Sequence, residues 1–190
     1  MHVPLKIIRL LIICFLAAAC QTPTSRDGRK DEGSRGDVFK LPDSMAVYSA
    51  NKDSLLLDSS QLAHHSSLKI FVVIDVSCPS CVADIDQWRA IVPDFMKYQV
   101  PVLLICFSKN NFEYIQYLFE NGQVKPFPFP LYLDISRQLH ALNPFILEGI
   151  AHQAVLTDEK NVVLTTGSPL LDEETKNRYL KIISEHVKKK

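Results

Sequence analysis

The sequence predicts an α/β fold, a layered sandwich around a mixed central sheet, and three observations carry that reading. Residues 69–76 (KIFVVIDV) form a β-branched run with little alternation, as suits a strand buried on both faces. A second apolar run at 101–107 (PVLLICF) follows after a stretch with helical spacing, so strand, helix and strand come in the order of a right-handed parallel crossover. Residues 154–157 and 162–165 flank the turn-like Asp158-Glu159-Lys160-Asn161, which adds an antiparallel hairpin to the parallel pair. With 190 residues, 47% of them hydrophobic, the chain can bury one sizeable core and is expected to form a single domain. Its 21 basic residues balance 21 acidic ones, which argues against a nucleic-acid partner, whose binding rests on excess positive charge.

The elements follow in order. Residues 1–19 open with Lys6 and Arg9, continue through an uncharged apolar run and end in three alanines, the pattern of a secretory signal. The run falls short of the roughly 18 apolar residues that a spanning helix needs. The junction Leu16-Ala17-Ala18-Ala19-Cys20 resembles the lipobox of bacterial lipoproteins, which implies cleavage before Cys20 and lipidation of its thiol. Cys14 leaves with the signal. Residues 20–42 are rich in Gly, Ser, Pro and mixed charge with almost no apolar residue before Val38, so they read as a flexible tether. The folded domain is then expected at 43–190. Within it, 45–48 and 54–57 read as the arms of an N-terminal hairpin extension around the turn-like residues 50–53.

After the first buried strand, Val82, Ile85, Trp88, Val92 and Phe95 recur at spacings of three and four, the buried stripe of a helix. Pro79 suits its first turn, and Pro93 is expected to kink or end it near Val92. A helix over 111–121 turns Phe112, Ile115, Leu118 and Phe119 inward and stops at Asn121-Gly122. Residues 130–133 read as a short strand and 137–142 as a short helix. Asp172 caps a last helix with Glu173 and Glu174 in its first turn, a stripe of Tyr179, Ile183 and Val187, and lysines at its end.

The chemistry sits where the first strand meets the first helix, at Ser77-Cys78-Pro79-Ser80-Cys81. Cysteines at i and i+3 on one helical turn bring their β-carbons to about 5–6 Å, close enough to bond reversibly. Cys78 lies at the helix start, where unpaired N–H groups and the dipole favour its thiolate. Cys81 lies one turn further in and is placed to resolve a mixed disulfide formed by Cys78. Two other readings stay open: a static structural disulfide, or half of a zinc site that would need two further ligands. Cys106, inside an apolar run, reads as a small buried hydrophobe, Trp88 as core, and His64-His65 as an exposed loop pair.

With its strand, its Cys78-Pro79-Ser80-Cys81 motif, its Trp88 helix and the hairpin AVLTDEKNVVL, the chain from 62 to 190 resembles the thioredoxin superfamily, specifically envelope thiol-disulfide oxidoreductases of the TlpA and ResA type. The resemblance implies a thioredoxin-like three-layer sandwich and a redox-active disulfide as the sole redox group, with no metal or other cofactor. It also implies a cis-proline just before the hairpin. That position is His152 or Gln153 here, and no proline lies between Pro144 and Pro169. The residue before the first cysteine, usually aromatic, is Ser77. Asp75, Pro79, Ser80, His152 and Gln153 are therefore candidate modulators, with Asp75 as a possible proton relay. The PxxxTxxC pattern of thiol peroxidases and the CxxxC of copper-delivery relatives are both absent. The expected activity is dithiol-disulfide exchange in a bacterial cell envelope, by a lipid-anchored protein facing the periplasm. Its partners would be envelope proteins with thiols or disulfides and a thiol-disulfide electron partner. The competing reading is a noncatalytic thioredoxin-like binding lipoprotein whose disulfide braces the fold.

Overall fold

The computed structural model describes residues 34–49, 66–146 and 153–188. A six-stranded sheet organises them, built from β1 (Met45–Tyr48), β2 (Leu68–Asp75), β3 (Val102–Phe107), β4 (Leu131–Asp134), β5 (Gln153–Asp158) and β6 (Val163–Thr166) in the order β1-β4-β3-β2-β5-β6. β2, β3 and β4 run parallel, while β1, β5 and β6 are antiparallel to their neighbours, which gives the mixed sheet expected. The helices are α1 (Pro79–Met96), α2 (Glu113–Glu120), α3 (Leu139–Leu142) and α4 (Glu173–Val187).

Period-two alternation splits the apolar strand residues between two faces. On one face Ile70, Val72 and Ile74 of β2 join Leu104 and Cys106 of β3 in a core completed by Ile85, Trp88 and Phe95 of α1, Ile115 of α2, and Tyr179 and Ile183 of α4. On the other, Phe71, Val73, Leu103, Ile105 and Val155 pack under Phe39, Leu139 of α3 and Ile146. The result is a three-layer sandwich with one thick helical layer and one thin layer.

The structure corrects several element boundaries. Pro93 does not end α1, which continues to Met96. Val92 and Phe95 are both buried against the sheet, and that burial, about 1.5–3 kcal/mol for each large side chain, outweighs the backbone hydrogen bond that proline removes. α2 starts at Glu113 rather than Asn111, because Asn111 and Phe112 take left-handed φ values of 56° and 67°. The Ser108 hydroxyl accepts from the N–H groups of Asn110 and Phe112 and holds that turn. In α4 the apolar seam ends at Ile183; Val187 is 48% exposed, in a turn it shares with exposed Glu185 and Lys188.

The tether expected through residue 42 does not extend that far. Phe39 is fully buried and stacks on Phe71 with ring centres 4.5 Å apart. Gly36 N–H donates to Val163 O at 2.9 Å, Val163 N–H to Asp37 O at 2.7 Å, and Phe39 N–H to Asn161 O at 2.8 Å, so this segment pairs alongside β6. The buried Asn143 amide then grips Lys40, accepting from its N–H at 2.8 Å and donating to its carbonyl at 2.7 Å. The polar composition around Phe39 conceals this one aromatic anchor. β1 pairs with β4 at the sheet edge; the second arm of the expected hairpin, 54–57, lies outside the described residues, as do His64-His65 and the signal segment. Among the described residues no helix is long and apolar enough to cross a membrane.

Candidate active site

β2 ends at Asp75 and α1 begins at Pro79, leaving three residues to turn the chain from sheet to helix. The Asp75 carboxylate organises that turn: Ser77 N–H donates to its Oδ1 at 3.0 Å, and the Ser77 hydroxyl donates to the same oxygen. Cys78 N–H reaches Asp75 O at 3.3 Å. Cys78 is thereby held in an extended conformation at the helix start, and its carbonyl accepts the first helical hydrogen bond from Val82 at 3.1 Å. Pro79 occupies the opening of the helix, where an N–H has no partner to lose, and is exposed.

Both motif cysteines are free thiols and half-buried, so the sulfurs are neither sealed in the core nor fully exposed. The two environments differ. A hydrogen bond from the Cys81 side chain and one from the Ser80 hydroxyl, whose Oγ lies 3.0 Å from Cys78 Sγ, hold the Cys78 thiol below its ordinary range. The backbone N–H of Cys81 adds a smaller contribution, although no side-chain capping bond forms. Cys81 goes the other way. Burial, then its hydrogen bond to and charge repulsion from Cys78, then the carboxylates of Asp75 and Asp84, push its thiol up to about 12. One sulfur is prepared as an anion while its neighbour keeps a proton to donate to it.

The structure therefore brings Asp75, Ser77, Cys78, Ser80 and Cys81 together. Gln153 opens β5 opposite Val73, two residues before Asp75 on β2. His152 and the lipidation candidate Cys20 lie outside the described residues, and no cis peptide bond occurs among those described. Two contributors escaped the sequence reading. Ser77 fastens the motif to Asp75, and Asp84, only 6% exposed, sits one turn beyond Cys81 with Gln87 Nε2 donating to its Oδ1 at 3.2 Å. The i, i+3 step from Cys81 to Asp84 puts the two on one helix face, but spacing alone does not show that the carboxylate is buried. Cys106 is fully buried, and burial pushes its thiol up to about 12, consistent with a packed, unreactive side chain. Among the described residues no group of three or more His, Cys, Asp or Glu is arranged to hold a metal ion.

No protein-family model matches the chain, and no curated protein matches it. Solved structures do. The Chlorobium tepidum protein named as a thiol:disulfide interchange protein, DsbE, superposes with a TM-score of 0.54 at 16% identity, over 78% of this chain and 97% of that one. AhpC from Mycobacterium tuberculosis gives a TM-score of 0.54 at 16% identity over 79% and 92%. The fold is thioredoxin-like. The reduced N-terminal domain of PilB from Neisseria meningitidis, at a TM-score of 0.50 and 9% identity over 71% and 90%, shares it. In this thioredoxin-like frame the Cys-Pro-Ser-Cys motif lies at the carboxyl end of a central parallel strand, where open α/β sheets place their sites.

Proposed function

We propose that the protein is a thiol-disulfide oxidoreductase of the bacterial cell envelope, with Cys78 as attacking thiolate and Cys81 as resolving thiol. The observation that carries this reading is a pair of free, half-exposed thiols one helical turn apart at the start of α1, with the Ser80 hydroxyl 3.0 Å from Cys78 Sγ; the lowering of Cys78 and raising of Cys81 accord with it. A disulfide that merely braced a fold would not need one sulfur stabilised as an anion by a hydroxyl at 3.0 Å.

In the reductive direction the Cys78 thiolate attacks one sulfur of a substrate disulfide. The substrate S–S bond breaks, a mixed disulfide to Cys78 forms, and the substrate's other sulfur leaves as a thiolate. Cys81 then passes its proton to the thiolate released in the first step, its sulfur attacks Cys78 Sγ, and the substrate sulfur bound to Cys78 leaves as a thiolate that takes a proton from water. The substrate gains two electrons and two protons, and the Cys78–Cys81 pair becomes a disulfide that a partner dithiol reduces again. The reverse sequence oxidises a substrate dithiol, and the direction follows the difference in reduction potential. Burial, the Cys78 sulfur and, to a smaller extent, Asp75 and Asp84 keep the proton on Cys81, and the mixed disulfide removes the Cys78 charge from that balance. In this reading Gln153, which opens β5 opposite Val73, and His152 correspond in sequence to the cis-proline of the TlpA and ResA type, and Gln153 would meet the substrate backbone.

The same reading places the mature protein outside the cytoplasm, tethered through lipidated Cys20, with envelope thiol or disulfide proteins and an electron-donating thiol partner as its contacts. A Cys81→Ala variant should accumulate mixed disulfides that dithiothreitol releases, and a Cys78→Ala variant should accumulate none. Absence of trapped species from envelope extracts, together with no exchange against a model disulfide, would transfer support to the noncatalytic binding lipoprotein.

A further inference from the structure

Lys69 sits where a lysine has least reason to be. It lies on β2, and period-two alternation puts its side chain on the same sheet face as Phe71 and Val73, opposite the face that carries α1. It is only 7% exposed. Its ammonium has three donors; among the described residues it donates to one carbonyl, Glu159 O, at 3.3 Å, and the carboxylates of Asp158 and Glu159 act on it through charge. The ammonium also stands 6.0 Å from the centre of the Phe71 ring.

This buried cation borders a cleft of about 140 Å³ whose apolar walls include Phe71, Leu103, Ile105 and Tyr132. Leu41 and Asn161 complete the lining, and the Asn161 Oδ1 is buried with no hydrogen-bond partner among the described residues. A donor residue, Lys69, and a residue with an unpaired acceptor, Asn161, therefore line one apolar cleft, and of the two only the Lys69 ammonium complements an anion. A cavity of roughly 150 Å³ accommodates a benzene ring, so the volume fits a single ring or a short branched chain. The chemistry that complements a buried ammonium is a carboxylate, through a charge-assisted hydrogen bond.

We propose that this cleft is a binding site for a small aryl or short-chain alkyl carboxylate, its carboxylate on Lys69 Nζ and its apolar body along Phe71, Leu103, Ile105 and Tyr132. The site is separate from the redox motif. Lys69 precedes Asp75 by six residues on one strand, about 20 Å at roughly 3.3 Å per residue, and the cleft opens on the opposite sheet face. Occupancy therefore leaves Cys78 chemistry unchanged, and the proposal stands or falls independently of the exchange activity.

The test is an amide-resolved NMR titration of the protein with phenylacetate and, separately, with the neutral phenylacetamide. Saturable shifts confined to Lys69, Phe71, Leu103, Ile105, Tyr132 and Asn161 are expected, with the acid binding at least about tenfold more tightly than the amide. Lys69→Met should abolish that preference while keeping the apolar contacts, and Leu103→Trp, which fills the cleft, should abolish binding of both. Equal binding of acid and amide to the unaltered protein, shifts that map elsewhere, or no saturable shift up to the solubility of phenylacetate would each overturn the proposal. The acid-amide comparison on the unaltered protein decides it even if either variant fails to fold.

Discussion

Ser80 shows how much one hydroxyl matters at the redox centre. It donates to the Cys78 thiolate at 3.0 Å, and a hydrogen bond to a charged group contributes about 1.5–3 kcal/mol. Part of that is recovered from water in a half-exposed site. Ser80→Ala is therefore expected to raise the Cys78 pKa by about one unit. Because the hydroxyl stabilises the reduced form, the reduction potential should fall by about 30 mV. Thiolate ultraviolet absorbance against pH, and equilibration with a glutathione buffer, read the two quantities. For the second sulfur, Asp84→Asn removes one of the carboxylates that raise Cys81, so the Cys81 pKa should drop from about 12 and its alkylation in base should begin at lower pH. The two cysteines were legible in the sequence because their function lies in a spacing and a helix start. Asp84 was not, because a carboxylate between Val82 and Trp88 declares itself only once tertiary packing has buried it.

At the scale of elements, the strands and helices that pack through strong periodic patterns fell where the sequence placed them; the misses came from single residues, Pro93 overridden by tertiary contacts and Asn111 and Phe112 turned left-handed in a local turn. Pro93 carries a local stop signal, yet Phe95 beyond it is fully buried and draws the helix on to Met96. Local chemistry was a sufficient guide where nothing long-range competed. Asp172 is such a case. Its Oδ1 accepts from Thr175 N–H at 2.6 Å and its Oδ2 from the Thr175 hydroxyl at 3.0 Å, which caps α4 as expected. Those hydrogen bonds, the backbone one above all, hold its carboxyl below the usual carboxylate range. Asp172→Ala should cost about 1 kcal/mol at neutral pH, read as a lowered urea midpoint. A depressed folded-state pKa gives stability that is present above the unfolded value of about 3.9 and lost as pH falls below it, so the difference between the variant and the parent should shrink in acid.

Across the whole molecule, the domain boundary depends on Phe39, which average composition over 20–42 could not reveal. Phe39→Ala should cost about 3–5 kcal/mol, and a domain begun at Asp43 should lose at least as much, because it also strips the backbone pairing from β6. The thiols make a second global prediction. Cys81 and Cys106 hold their protons up to about 12 in the folded chain, while in the unfolded chain they titrate near about 8.5. Between those values the folded state binds more protons than the unfolded state, so stability is complete below about pH 8.5 and declines as pH rises towards 12. Cys78 opposes this trend, because its lowered pKa favours the folded state above the unfolded thiol value. Cys81 and Cys106 are raised alike, so removing Cys106 takes away one of two contributions of the same sign. Under reducing conditions the unfolding midpoint should fall steadily over this alkaline range, and Cys106→Ala, though less stable at pH 7, should show a visibly shallower fall. An unchanged slope in that variant would mean that Cys106 does not contribute to the alkaline loss.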